Sequence, residues 1–241
     1  MTVDDRGTGQ GSVVSPILAN IYLHYCFDLW AERWRRQEAR GDMIVVRYAD
    51  DLVVGFEHEG DARRFLDAMH DRLGEFALSL HPDKTRLMIE FGRFAANDRK
   101  LRGLGKPETF AFLGFTFICG RSRRGNFQLQ RKTRRDRMRR KLGDIKAELL
   151  RRMHQPIPEQ GKWLRQIVAG HFAYYAVPTN SRALSAFRHY VTDLWRRTLR
   201  RRSQKDGFTW NRMTKLVADW LPPPRILHPW PDDRFDVRHP R

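Results

Sequence analysis

Met43-Ile44-Val45-Val46-Arg47-Tyr48-Ala49-Asp50-Asp51-Leu52-Val53-Val54 is the stretch on which the fold turns. β-Branched residues flank Tyr48-Ala49-Asp50-Asp51 on both sides, so the flanks read as two short strands and the tetrapeptide as the crest of a β-hairpin. Two adjacent carboxylates on such a crest repel one another and both need solvation, which calls for a compensating cation. Magnesium suits the position because it prefers carboxylate oxygens, keeps part of its water shell and completes its sphere with substrate phosphates. Asp is also a common turn residue, and a solvated turn accounts for the pair taken by itself.

Upstream, a glycine-punctuated loop, Arg6-Gly7-Thr8-Gly9-Gln10-Gly11-Ser12, runs into Ser15-Pro16, which predicts a helix with Ser15 at N-cap and Pro16 at N1. Leu18, Ile21, Tyr22, Tyr25, Leu29 and Trp34 recur at helical spacing to about Gln37 and predict its buried face. Downstream, Asp61 is placed to cap a helix whose Ala62, Phe65, Leu66, Met69, Leu73 and Phe76 form one apolar stripe. Leu87, Ile89 and Phe91 alternate as a half-buried strand, 92–107 reads as a basic loop, and 110–118 reads as a strand paired with 126–130. The expected fold class is therefore α+β, an antiparallel sheet with helices ending near residue 130. Beyond it the period becomes helical, with Met138/Leu142/Ile145/Leu149, Leu164/Ile167/Val168/His171/Phe172/Tyr175 and Leu184/Phe187/Tyr190/Val191/Leu194/Trp195 as three stripes. These predict an all-α bundle with basic outer faces, followed by a shorter helix from Trp210 to Leu221, capped by Thr209 and stopped by Pro222-Pro223-Pro224.

At 241 residues the chain is long enough to bury a real core. No run approaches the roughly 18 apolar residues of a membrane span, and the first residues lack a signal-peptide core, so a cytoplasmic protein with no membrane partner is expected. Cys26 and Cys119 stand apart from one another and from any His cluster, which leaves neither a disulfide framework nor a zinc ligand set. The net charge of +18 is unevenly spread. Residues 1–120 carry 16 Lys/Arg against 18 Asp/Glu, whereas 121–241 carry 30 against 10. A near-neutral front and a strongly basic back interleaved with aromatics point to a polyanionic partner, nucleic acid before membrane.

Several motifs stand in a fixed order: Gly9-Gln10-Gly11-Ser12 with Ser15-Pro16-Ile17-Leu18-Ala19-Asn20, Tyr48-Ala49-Asp50-Asp51, Pro82-Asp83-Lys84-Thr85, and Phe112-Leu113-Gly114-Phe115. The series resembles the palm of a reverse transcriptase. Arg201-Arg202-Ser203-Gln204-Lys205, Trp210, Trp220-Leu221-Pro222 and His228-Pro229-Trp230 resemble the C-terminal part of group II intron-encoded proteins, reverse transcriptases that also serve as RNA maturases. The resemblance implies a partial polymerase palm over 1–130, a thumb/maturase helical domain over 131–205, and a C-terminal helix with an extended tail over 206–241. It implies that Asp50 and Asp51 hold Mg2+, that Lys84 neutralises or protonates the leaving phosphate, and that Gln10 and Gly11 line the incoming nucleotide. Phe112, Leu113, Gly114 and Phe115 match the primer grip, where Gly114 would permit close approach of the primer backbone. Arg134, Arg135, Arg139, Arg140, Arg201 and Arg202 are the expected RNA contacts, while His171, Tyr174 and Tyr175 are read as bundle packing. The implied partners are a group II intron RNA, an RNA template with a DNA primer, and deoxynucleoside triphosphates.

The sequence departs from the family in three respects. Fingers and the palm strand bearing a further metal-binding aspartate are not found upstream of the Gln-Gly loop, and Asp4 and Asp5 are a poor substitute. Gly9 and Ser12 replace the usual Pro and Gly. No endonuclease module is read in the tail, so DNA cleavage by this chain is not expected. These departures favour a chain that by itself is inactive or nearly so in polymerisation, with a complementary chain as a possible source of the fingers and the aspartate. The alternatives are a non-catalytic maturase remnant that binds intron RNA and assists splicing, and a non-functional fragment with an uncovered sheet edge.

Overall fold

β1 (Met43–Tyr48) and β2 (Asp51–Phe56) pair antiparallel from Met43↔Phe56 to Tyr48↔Asp51, which leaves Ala49 and Asp50 as a two-residue loop. The computed structural model describes residues 14–89, 91–202 and 208–231. They divide into two compact units, residues 1–89 and 90–241, and the architecture is mixed α+β with two small antiparallel sheets among the described residues.

In the first unit, α1 (Ser15–Leu23) runs through a π-helical turn (His24–Asp28) into α2 (Leu29–Gln37). α3 (Glu59–Glu75) follows the hairpin. Alternation along β1 points Met43 and Val45 inward and leaves Ile44 and Val46 exposed, as the period-2 pattern requires. Met43 joins Cys26, Phe27, Ala31 and Trp34 with Phe65, Met69 and Leu73 of α3 in one core. Phe65 is its hub, with ring centroids 5.0 Å from Trp34, 5.1 Å from Trp30 and 5.3 Å from Phe56.

The expected buried face of the first helix is not the one used. Leu18, Ile21, Tyr22, Tyr25 and Leu29 are all exposed, Tyr25 to 63%, and α1 buries no residue. The π turn inserts one extra residue into the helical phase, so the stripe that begins on α1 does not continue onto the inward face of α2. Trp34 alone of that stripe is buried, beside Cys26, Phe27 and Ala31. The N-cap is Val14 and Ser15 is the first helical residue. Asp61 also differs from expectation: His58 holds the N-cap position of α3, and Asp61 lies in its first turn, buried. There it accepts from the Arg40 amide at 2.7 Å and from the Arg64 guanidinium at 2.9 Å, which holds its carboxyl below the usual range. The side chain that would have capped the helix closes the loop before β1 instead.

In the second unit, α4 (Arg93–Leu101) occupies what read as a loop, and the described residues of 87–91 form no strand. The run 110–118 is not one strand but a hairpin, β3 (Thr109–Phe112) and β4 (Phe115–Arg121), turning at Leu113 (φ 46°) and Gly114 (φ 77°). Two successive positive φ values match the twist that a two-residue β-turn needs, and Gly114 supplies one of them at no steric cost. β5 (Phe127–Thr133) pairs with β4, as the pattern predicted, but extends to Thr133.

α5 (Arg135–Arg151), α6 (Ile157–Tyr175), α7 (Ser181–Arg200) and α8 (Trp210–Trp220) follow. Ile145, Leu149, Leu164, Val168, Phe172, Leu184, Phe187, Val191 and Trp195 are all buried as the stripes predicted, whereas Tyr190 of the third stripe is exposed, and Thr209 caps α8 as expected by accepting from the Arg212 amide. Gln160 is fully buried and satisfied: its amide donates to the carbonyls of Arg152 and Gln155, and its oxygen accepts from the Trp195 indole at 2.8 Å. The loop between α6 and α7 is fastened to β5. Asn180 accepts from the Thr133 amide and donates to the Thr133 hydroxyl and the Tyr175 carbonyl, while Thr179, at φ 75°, accepts from the Arg131 amide.

Two outcomes test this packing. A Cβ at Gly161 would collide with Cδ2 of Trp220, so Gly161→Ala forces α6 and α8 apart and costs about 1–3 kcal/mol in denaturant unfolding. His171 is buried, stacked 3.6 Å from Phe187, with no partner for Nε2 among the described residues, and burial pushes its pKa down to about 4. The folded chain therefore keeps a neutral ring where the unfolded chain, with its ordinary value of about 6.5, is protonated. Stability is unaffected above that value and falls as the pH drops below it; melting temperatures between pH 7 and 5 show this slope, and His171→Phe flattens it.

Candidate functional site

Arg47 lies on the inward-facing register of β1 with Met43 and Val45, a position where a cation needs a partner. The π turn supplies one. Arg47 donates two-pronged to Asp28, Nε to Oδ1 at 2.7 Å and Nη2 to Oδ2 at 2.5 Å. Its Nη1 donates to Asn20 Oδ1 of α1 at 2.9 Å and to the carbonyl of Ala49 at 3.0 Å. The side chains are 15% and 29% exposed, so the pair is screened only in part. The guanidinium holds the Asp28 carboxyl below its usual range, and the carboxylate in turn raises Arg47. The bridge is intact at neutral pH and is lost only as the pH falls through that depressed range.

Beyond this anchor stand Asp50, at the loop, and Asp51, the first residue of β2. Both are exposed, and among the described residues neither is ion-paired. Ala49 holds φ 53°, the left-handed region that costs a non-glycine residue about 1–2 kcal/mol. Lys84, in the turn after α3, is exposed, with its amide bonded to the His81 carbonyl at 3.2 Å; no hydrogen bond or ion pair joins its side chain to either aspartate among the described residues. Gln10 and Gly11 lie outside the described residues.

Two exposed carboxylates on a fixed turn are hard oxygen donors of the type magnesium uses. Among the described residues no group of three or more His, Cys, Asp or Glu converges. The arrangement fits an ion held by one or two carboxylates, waters and a bound phosphate, and does not fit an all-protein cage.

Phe112, Leu113, Gly114 and Phe115 lie on the β3–β4 hairpin of the second unit, and their turn is held from inside that unit. Tyr174 donates to the Leu113 carbonyl at 2.8 Å, its ring stacks on Phe115, and a Cβ on Gly114 would lie 2.8 Å from the Tyr175 hydroxyl. The close approach that Gly114 permits is thus made by a tyrosine of α6. Tyr174 and Tyr175 clamp the hairpin, a role that only the folded chain reveals.

Of the basic candidates, Arg134 is engaged by Asp136 through bonds of 3.0 and 2.7 Å, and Arg202 donates to the His154 carbonyl at 3.5 Å. Arg135, Arg139, Arg140 and Arg201 are exposed and make no ion pair among the described residues. Sequence reasoning missed a further surface. Ser185, Arg188, His189, Thr192 and Trp210 line a groove of about 580 Å³ between α7 and α8. Trp210 lies parallel to His189 within 6°, and the Arg196 guanidinium sits 4.9 Å from its ring. An exposed Trp beside Arg-rich sequence was the available signal.

Residues 2–117 match the family model described as reverse transcriptase (RNA-dependent DNA polymerase). No curated protein matches the chain. The matched stretch contains Gln10, Gly11, Asp50, Asp51, Lys84 and the Phe112 to Phe115 turn. Among the described residues no helix is long and apolar enough to cross a membrane.

Gly114→Ala is the test of the clamped hairpin. It combines a strained positive φ with a collision at Tyr175, and it lowers the denaturation free energy by about 2 kcal/mol or more. Tyr174→Phe, which removes one hydrogen bond, costs about 1 kcal/mol.

Proposed function

We propose that the chain is a group II intron reverse transcriptase/maturase, with an RNA-directed DNA polymerase palm over 1–130, a thumb/maturase domain over 131–205 and a C-terminal segment over 206–241. The observation that carries this reading is the exposed Asp50-Asp51 turn, without an ion pair among the described residues, inside the stretch that matches the reverse transcriptase family model. Asp50 and Asp51 would hold Mg2+, which supplies activation of the primer 3′ oxygen and stabilisation of the leaving pyrophosphate. Gln10 and Gly11 line the nucleotide, Lys84 meets the leaving phosphate, and the Phe112 to Phe115 turn steadies the primer. Arg135, Arg139, Arg140 and Arg201 contact phosphates of the intron RNA, and Trp210 offers a stacking face for a base.

A second reading is favoured by one observation: residues 121–241 carry 30 Lys/Arg against 10 Asp/Glu. Under it the chain binds intron RNA through its basic half and assists splicing without polymerising. Primer extension with Mg2+, primer–template and deoxynucleoside triphosphates separates the two. Extension that Asp50→Asn abolishes supports the polymerase; no extension, with RNA binding retained in Asp50→Asn, supports the binding protein.

Both readings share one expected outcome. RNA affinity falls steeply with salt, and the double change Arg139→Ala/Arg140→Ala reduces the slope of log K against log salt by about 0.7 for each RNA phosphate that is no longer neutralised. Filter binding from 50 to 300 mM salt, roughly the range over which such interactions are screened, provides the measurement. An unchanged slope contradicts the assignment of α5 to the RNA.

A further inference from the structure

Arg47, Asp28, Asn20 and Ala49 come from α1, the π turn and β1, and they meet at the base of the Asp50-Asp51 turn. Every part of this meeting is specific. Alternation along β1 puts Arg47 on the inward side, and the π turn brings Asp28 to it across 19 residues. Asn20 is itself oriented, donating its amide to the Pro16 carbonyl at 3.0 Å. The remaining guanidinium contact goes to the carbonyl of Ala49, the one residue in this turn with positive φ. That carbonyl belongs to the peptide linking Ala49 to Asp50, so its direction sets where the aspartate backbone starts. A strained residue persists only where its surroundings over-determine it.

We infer that Arg47 is a positioning residue for the cation-binding turn: braced by Asp28 and Asn20, it holds the Ala49 carbonyl and so keeps Asp50 and Asp51 aimed at a shared cation. The inference rests on the proposed reading of these aspartates as cation ligands. Arg47 touches neither the cation nor substrate, and its own charge is answered by Asp28. Lysine at this position keeps the charge but cannot make the two-pronged bond to Asp28 while also reaching Asn20 and Ala49.

The test uses the full chain, isotope-labelled, with Cα and Cβ chemical shifts of Ala49 reporting its φ and Mn2+ affinity followed by electron paramagnetic resonance. The Asp50→Asn/Asp51→Asn chain defines which binding belongs to the turn. In Arg47→Lys, Ala49 is expected to leave the positive-φ region while the β1–β2 cross-strand contacts persist, and Mn2+ affinity is expected to fall about tenfold, the scale of losing an outer-sphere partner. Asp28→Asn shifts both readouts in the same direction and stands in if Arg47→Lys does not fold. A folded Arg47→Lys chain in which Ala49 keeps its positive φ, or in which the turn binds Mn2+ as tightly as before, overturns the inference. Absence of Asp50- and Asp51-dependent Mn2+ binding in the unaltered chain overturns the cation reading instead, and the Ala49 shifts then decide whether Arg47 sets the turn.

Discussion

An arginine on the inward register of a two-stranded sheet is the constraint around which the first unit is arranged. Left alone, a partly buried guanidinium costs several kcal/mol, so its partner must be delivered with good geometry or the strand cannot seat. Asp28 is delivered by a π turn, and that turn shifts the helical phase: the apolar residues of α1 face outward while Cys26, Phe27, Ala31 and Trp34 face the core. One interaction thus links the helix geometry, the seating of β1 and the conformation of the loop that carries the two aspartates.

The second unit solves a related problem by different means. Its β3–β4 turn uses two positive φ values and is held by Tyr174 and Tyr175, and β5 is held by Asn180 and Thr179. Hydrogen bonds from the bundle therefore fix one end of the sheet, where Phe115 pairs with Thr133, and the ring and hydroxyl of one tyrosine pair do what a longer strand ladder would otherwise do. The outward side of α5 is left to exposed arginines, which suits a surface that meets phosphates. Where an arginine is already neutralised by a neighbouring carboxylate, as Arg134 is by Asp136, less of its charge remains for a ligand.

The helical bundle was legible because its signal is local. The stripes through Ile145, Leu164, Val191 and Trp195 repeat at 3.6 residues, and the core contains them. The Asp50-Asp51 hairpin was legible for the same reason, two β-branched runs about a short turn. What sequence pattern could not show depends on partners far along the chain. Asp61 looks like a cap until Arg40 and Arg64 claim it, and the stripe on α1 looks buried until Asp28 is required at Arg47. Phe112 to Phe115 reads as continuous strand because Leu113 gives no sign of turning; only Gly114 hints at it. The motif residues were found by their order, whereas Arg47 and Asp28, which organise them, lie 19 residues apart with no local signature.

A cation at the Asp50-Asp51 turn is what the proposed function requires, and affinity cleavage tests that most directly. Fe2+ substituted for Mg2+, with ascorbate and peroxide, cuts polypeptide within reach of its site. A cation held there gives backbone cleavage centred on residues 49–52, suppressed by excess Mg2+ and absent from Asp50→Asn/Asp51→Asn. Cleavage elsewhere, or the same pattern in the doubly substituted chain, contradicts it.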